Sequence, residues 1–67
     1  MRIMYVKPGC PYCQAARESL TAEGIDFEER DATSGDDWKQ ELFEVSPRGV
    51  VPTIVGDGTT IGWNGEG

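Results

Sequence analysis

Residues 10–13 read Cys-Pro-Tyr-Cys, and they stand between a short apolar run and an amphipathic stretch. That placement constrains the fold more than any other feature of the chain. Residues 2–6, Arg-Ile-Met-Tyr-Val, predict a buried strand, and Lys7-Pro8-Gly9 breaks it into a loop. Pro11 suits the first turn of a helix, where its missing N–H leaves nothing unsatisfied. Tyr12, Ala15, Ala16, Ser19 and Leu20 recur at helical spacing, predicting a helix over 11–23 that ends at a left-handed Gly24. The only two cysteines of the chain therefore fall across the first turn of a helix that follows a strand.

Downstream, residues 25–28 alternate apolar and polar, which predicts a second strand. Residues 31–35 are a polar connector. Ser34, with Asp37 three residues on, predicts a capping pair. Trp38, Leu42 and Val45, with Phe43 beside them, form the apolar face of a second helix that stops before Ser46-Pro47-Arg48-Gly49. Residues 50–55 predict a third strand with Pro52 near its start, Gly56-Asp57-Gly58 a hairpin turn, and residues 59–61 a fourth strand. Residues 62–67 carry no periodicity. The order β-α-β-α-β-β makes the first two strands parallel, joined by a right-handed crossover, and the last two an antiparallel hairpin. The expected architecture is α/β: a mixed four-stranded sheet with helices packed on it. The 67 residues allow one domain, 1–67, with a thin core.

Composition narrows the function classes. Hydrophobic residues at 37% and charged residues at 27% suit a globular domain rather than a disordered chain. A net charge of −6 gives no basic footprint, so nucleic acid and anionic membranes are both disfavoured as partners. Such a surface suits plain solubility and basic patches on protein partners equally well. The first six residues lack the long apolar stretch and small-residue cleavage site of a signal peptide, and no stretch reaches membrane-spanning length. The sequence predicts a cytoplasmic protein, a compartment where structural disulfides are rare and catalytic ones occur.

Two thiols at this spacing can close a small disulfide and reopen it by thiolate exchange. Cys10, just before the helix, meets unpaired N–H groups and a dipole that favour an anion, which marks it as the nucleophile. Cys13, one turn on and more enclosed, would attack Cys10 and release the reduced substrate. Two other readings stand beside this one: buried structural thiols, or part of a metal site. Zinc wants four ligands, and a chain with no His and no third Cys would need carboxylates to hold it. No metal is expected within one chain. A dimer using four thiolates to hold a metal or iron–sulfur cluster is the binding-module alternative.

Lys7-Pro8-Gly9-Cys10-Pro11-Tyr12-Cys13, the β-α-β start and Val51-Pro52-Thr53-Ile54-Val55 together resemble the glutaredoxin branch of the thioredoxin superfamily, over nearly the whole chain. The resemblance implies a thioredoxin-like fold and an enzyme, a monomer that reduces protein disulfides or glutathione mixed disulfides through a Cys10/Cys13 dithiol. It implies no tightly bound cofactor, with glutathione as reductant. It also implies a cis Val51–Pro52 bond that turns the Val51 backbone toward Cys10, where its N–H and C=O can pair with substrate. Ile61-Gly62 sits where the family's Ile-Gly-Gly precedes an aspartate that helps hold glutathione. Here the second glycine is Trp63 and the aspartate position reads Glu66. Gly62-Trp63-Asn64-Gly65 also resembles the Trp-Ser-Gly segment of NrdH-redoxins, glutaredoxin-shaped proteins reduced by thioredoxin reductase. The family adds a last helix that these 67 residues do not include.

Several roles stay open. Lys7 either supports the thiolate and a substrate carboxylate or is a solvated loop lysine. Tyr12 either leans over bound substrate or only fills the helix face. Trp63 is a partner-facing anchor or a cap on the core. Arg17 and Arg48 line a glutathione groove or are surface charges, and Lys39 reads as surface.

Overall fold

The computed structural model describes residues 1–63. Six elements follow in order: β1 (Arg2–Val6), α1 (Pro11–Ala22), β2 (Phe27–Asp31), α2 (Asp36–Val45), β3 (Thr53–Val55) and β4 (Thr59–Ile61). The strands form one sheet in the order β2-β1-β3-β4. β1 and β2 run parallel, while β3 is antiparallel to both β1 and β4. This is the mixed sheet that the element order predicts.

Successive residues of a strand face opposite sides of the sheet, so the register sorts them. Met4 pairs with Glu29 and Ile54, and Val6 pairs with Asp31, on one face. α1 covers that face with buried Cys13, Ala16 and Leu20, and its Arg17 bonds to Glu29. Met4 is fully buried, which contributes roughly 1.5–3 kcal/mol. Tyr5 pairs with Arg30 and Thr53 on the opposite face, and α2 lies there with Leu42 buried. Glu41 of α2 accepts the Tyr5 hydroxyl at 2.8 Å and the Arg30 guanidinium at 2.6 Å. Arg30 also pairs with Glu28 and stacks 6.0 Å from the Trp38 ring centroid, a cation–π arrangement.

The boundaries differ from the sequence expectation in three places, each for a local reason. α1 ends at Ala22 with Glu23 as its cap, and Gly24 follows at φ +72°. The N–H of Gly24 then reaches Thr21 C=O at 3.1 Å and that of Ile25 reaches Leu20 C=O at 3.0 Å, the paired bonds of a Schellman ending. Ile25 is thus committed to the helix exit, and β2 starts at Phe27 rather than Ile25 and runs to Asp31. The predicted Ser34–Asp37 cap does not form. Gly35 is the N-cap of α2 without a side-chain bond. The Ser34 hydroxyl instead donates to Asp31 C=O at 3.0 Å, in a turn where Asp31 Oδ1 accepts the Thr33 N–H and hydroxyl. Asp36 and Asp37 still place negative charge in the first turn, where the helix dipole favours it. Finally, β3 begins at Thr53, not Val50. The Val50 N–H goes to Ser46 Oγ at 3.2 Å and its C=O accepts Thr53 Oγ1 at 2.6 Å, while Pro52 has no N–H to give to a ladder.

Candidate functional site

The loop after β1 delivers Cys10 as the N-cap of α1, with extended backbone angles of φ −91° and ψ 109°. In that position a side-chain atom accepts an N–H that the first turn leaves unpaired. Here the atom is sulfur: the Cys13 N–H donates to Cys10 Sγ at 3.2 Å. Pro11 follows in the first turn. Both cysteines are free thiols, Cys10 at 7% exposure and Cys13 at 1%. The difference ranks them: Cys10 is the more accessible and Cys13 lies behind it in the core.

Burial pushes the Cys13 thiol up to about 12, and the hydrogen bond with Cys10 adds to it. A backbone N–H of Lys7 and the Arg17 guanidinium act in the opposite sense. The thiol that acts second is therefore one whose proton burial makes hard to remove.

The Val51–Pro52 bond is cis, as the resemblance implies. Val51 belongs to the same buried cluster as Cys10 and Cys13. Its N–H and C=O make no hydrogen bond among the described residues. The C=O of Pro52 accepts the Gly62 N–H at 2.8 Å, which ties the start of β3 to the end of β4. Gly62 is buried at φ +82°, and Trp63 after it packs half-buried against the core cluster, as does Tyr12. Gly65 and Glu66 lie outside the described residues.

A cavity of about 190 Å³ joins the cysteine loop to the cis-proline segment; its walls include Lys7, Lys39, Leu42, Phe43, Gly49 and Val51. Of the described cations, Arg2, Arg17 and Arg30 are paired with carboxylates, whereas the ammonium groups of Lys7 and Lys39 pair with none among the described residues. Two larger hollows, about 480 Å³ at the start of α2 and about 430 Å³ beside Arg2 and Asp57, share no residue with the thiol site.

Sequence reasoning missed three of these wall residues. Lys39 reads as surface, yet it faces the same hollow as Lys7. Phe43 reads as part of a helix face, and it stands 46% exposed as a cavity wall. Gly49 carries the one available signal, a glycine in the turn after α2. Its φ is +63°, and a Cβ there would come within 2.5 Å of the Phe43 ring. Arg17 is not in the groove. It is held in a two-point ion pair with Glu29 at 2.8 and 2.6 Å.

Among the described residues, no group of three or more His, Cys, Asp or Glu side chains is placed to hold a metal ion. Nor is any described helix long and apolar enough to cross a membrane.

Residues 3–61 match the glutaredoxin family profile. The chain is 34% identical to glutaredoxin 3 of Escherichia coli K12 over 59 residues, 88% of this chain and 71% of that protein. It is 35% identical to the gene 56 protein of Mycobacterium phage L5 over 54 residues, 81% of this chain, and spans about half (52%) of the phage protein's length. In structure it is similar to a glutaredoxin of Archaeoglobus fulgidus, with a TM-score of 0.77 at 32% identity over 94% of this chain and 75% of that one. It is also similar to the glutaredoxin of Brucella melitensis, with a TM-score of 0.71 at 37% identity over 91% and 67% of the two chains.

Proposed function

The chain belongs to the glutaredoxin family, and on that footing we propose that it is a dithiol thiol–disulfide oxidoreductase whose working pair is Cys10 and Cys13. The observation that carries this reading is the Cys13 N–H donated to Cys10 Sγ at the mouth of α1, with the two thiols ranked by exposure.

In the first step the Cys10 thiolate attacks one sulfur of a substrate disulfide. A Cys10–substrate S–S bond forms, the substrate S–S bond breaks, and the other substrate sulfur leaves with the electron pair and takes a proton from water. Cys10 stands at the mouth of α1 with its sulfur accepting the Cys13 N–H, and a sulfur that attacks from there does so beside backbone donors. In the second step the Cys13 thiolate attacks Cys10 Sγ. The Cys10–Cys13 disulfide forms and the bound substrate thiol is released, so the substrate gains two electrons and the pair loses two. The free N–H and C=O of Val51 offer a short strand-like pairing for the substrate backbone, and the Lys7 and Lys39 ammonium groups suit its carboxylates. Glutathione, a tripeptide thiol with two carboxylates, is the reductant this arrangement suits best. Tyr12, Gly62 and Trp63 border the same region in this proposal. Reduction by thioredoxin reductase is the competing outcome, because Trp63 stands where the family has a glycine.

The test is turnover of a disulfide substrate with each reductant, in Cys10→Ser and Cys13→Ser backgrounds. Cys10→Ser is expected to abolish all exchange. Cys13→Ser is expected to retain reduction of glutathione mixed disulfides and lose dithiol turnover. Equal loss in both variants would overturn the assigned roles, and turnover only with thioredoxin reductase would replace glutathione as the reductant.

A further inference from the structure

The second exchange step has a difficulty of its own. Cys13 must become a thiolate while buried against an apolar face, and the groups packed around it give little help. β1 and β3 present Met4, Val6 and Ile54, which carry no charge. β2 presents Glu29 and Asp31, and α1 carries Glu18. Asp31 is occupied by the Thr33 N–H and hydroxyl. The other ionisable neighbour is Cys10 itself.

Arg17 is the one side-chain cation on α1, the helix that carries this sulfur. It sits four residues beyond Cys13 on α1, a spacing that stacks two side chains one turn apart with Cβ atoms about 5–6 Å apart. Its guanidinium is not left to wander. Nε donates to Glu29 Oε2 at 2.8 Å and Nη2 to Oε1 at 2.6 Å. A two-point fork of this kind fixes the plane as well as the distance. Glu29 belongs to the face of β2 that α1 covers, in register with Met4, so the fork holds the guanidinium against the flank of α1. The influence is mutual: Cys13 and Arg17 each favour the charged form of the other.

We propose that Arg17, oriented by Glu29, is a positioning residue for the second exchange, holding positive charge beside the Cys13 sulfur while that sulfur is a thiolate attacking Cys10. The proposal rests on the dithiol reading above. Arg17 neither bonds to substrate nor takes a proton. The Cys13 proton goes to water, the Cys13–Cys10 bond forms, and the Cys10–substrate bond breaks with the electron pair leaving on the substrate sulfur. The tie between α1 and β2 therefore matters to the chemistry as well as to packing, and it lies outside the Cys-Pro-Tyr-Cys motif.

The experiment mixes reduced protein with 5,5′-dithiobis(2-nitrobenzoate) in a stopped-flow instrument. Attack by Cys10 releases one coloured thiolate at a rate proportional to reagent. Ring closure by Cys13 releases a second at a rate independent of reagent. Removing the charge is expected to leave less Cys13 thiolate at any given pH, an effect partly offset because a more basic sulfur is also more nucleophilic. For a nearby opposite charge that is half exposed, the expected net slowing of the second phase at pH 7 is about threefold. Arg17→Met should show this with the first phase unchanged, and Arg17→Lys should recover at least half of the loss. A parent protein that lacks a reagent-independent second phase would overturn the dithiol reading. A parent that shows it, with Arg17→Met closing the ring at the parent rate, would overturn the Arg17 proposal alone. Equal slowing of both phases, or failure of Arg17→Lys to rescue, would assign Arg17 a purely structural role.

Discussion

Alkaline pH should destabilise the reduced protein more than it destabilises a Cys13→Ala variant. In the folded chain the Cys13 thiol is pushed up to about 12, chiefly by burial, from an ordinary value of 9.0. The folded state therefore keeps this proton to higher pH than the unfolded state does. Stability falls wherever the folded state binds more protons, so the loss begins near pH 9 and accumulates toward pH 12. Below pH 9 both states are protonated and the group contributes nothing. At pH 10 most of the unfolded thiol is ionised while the folded one is not, and the linkage relation gives a loss on the order of 1 kcal/mol, rising to roughly 3 kcal/mol at pH 11. The assay is urea unfolding followed by tryptophan fluorescence at pH 8 and pH 10, with a phosphine reductant present. The quantity compared is the change in unfolding free energy between the two pH values, reduced protein against Cys13→Ala. That difference removes the lysines and the Tyr5 phenol, which is itself raised, by burial first and then by Glu41. The oxidised protein has no Cys13 thiol to titrate and should behave like the variant. Matching pH dependence in the reduced protein and Cys13→Ala, within about 0.5 kcal/mol, would refute the reasoning, because burial would then not be holding the proton.

Two further substitutions probe other parts of the molecule. Gly49→Ala should cost about 1–2 kcal/mol for a side chain at positive φ and push the Phe43 ring off the cavity wall, so thermal unfolding should come earlier and the apparent KM for glutathione-linked substrates should change more than kcat. A variant with unchanged Tm and unchanged KM would contradict that contact. Tyr5→Phe removes the hydroxyl donated to Glu41 but leaves Arg30 on the same carboxylate, so it should lose about 1 kcal/mol in urea unfolding with exchange rates unaltered. A loss near zero would mean that water replaces the hydroxyl without penalty.

What can be read from the chain without coordinates is what depends on neighbours in sequence. Cys10 at the mouth of α1 follows from Pro11, the preceding glycine and the helical spacing beyond them. The parallel pairing of β1 and β2 follows from the helix that separates them. The cis Val51–Pro52 bond is different: residue physics makes it rare, and only the family resemblance points to it. The limits of β2 elude a pattern reading because Ile25 looks like a strand residue yet serves the exit of α1, while the alternation stops at Glu28 and the charged run of Glu28, Glu29, Arg30 and Asp31 nevertheless belongs to the strand. Those charges are tolerated because three of the four are ion-paired with helix or strand partners. The cavity wall is hidden for another reason. Lys7, Lys39 and Gly49 are far apart in sequence, and only the path of α2 across the sheet brings them to one hollow. Arg17 is invisible in the same way, since its meaning depends on Glu29 twelve residues later.

The polarity of β2 has one more effect. As the terminal strand of the sheet it leaves a row of amides and carbonyls along one rim, the kind of border onto which a stray extended polypeptide can zip. Along that border stand Glu28, Glu29 and Arg30, locked to Arg17, Glu41 and each other. An intruding strand would have to strip those contacts and lie down on a fence of charge. The residues that disguise β2 in the sequence therefore also guard the sheet against lateral growth.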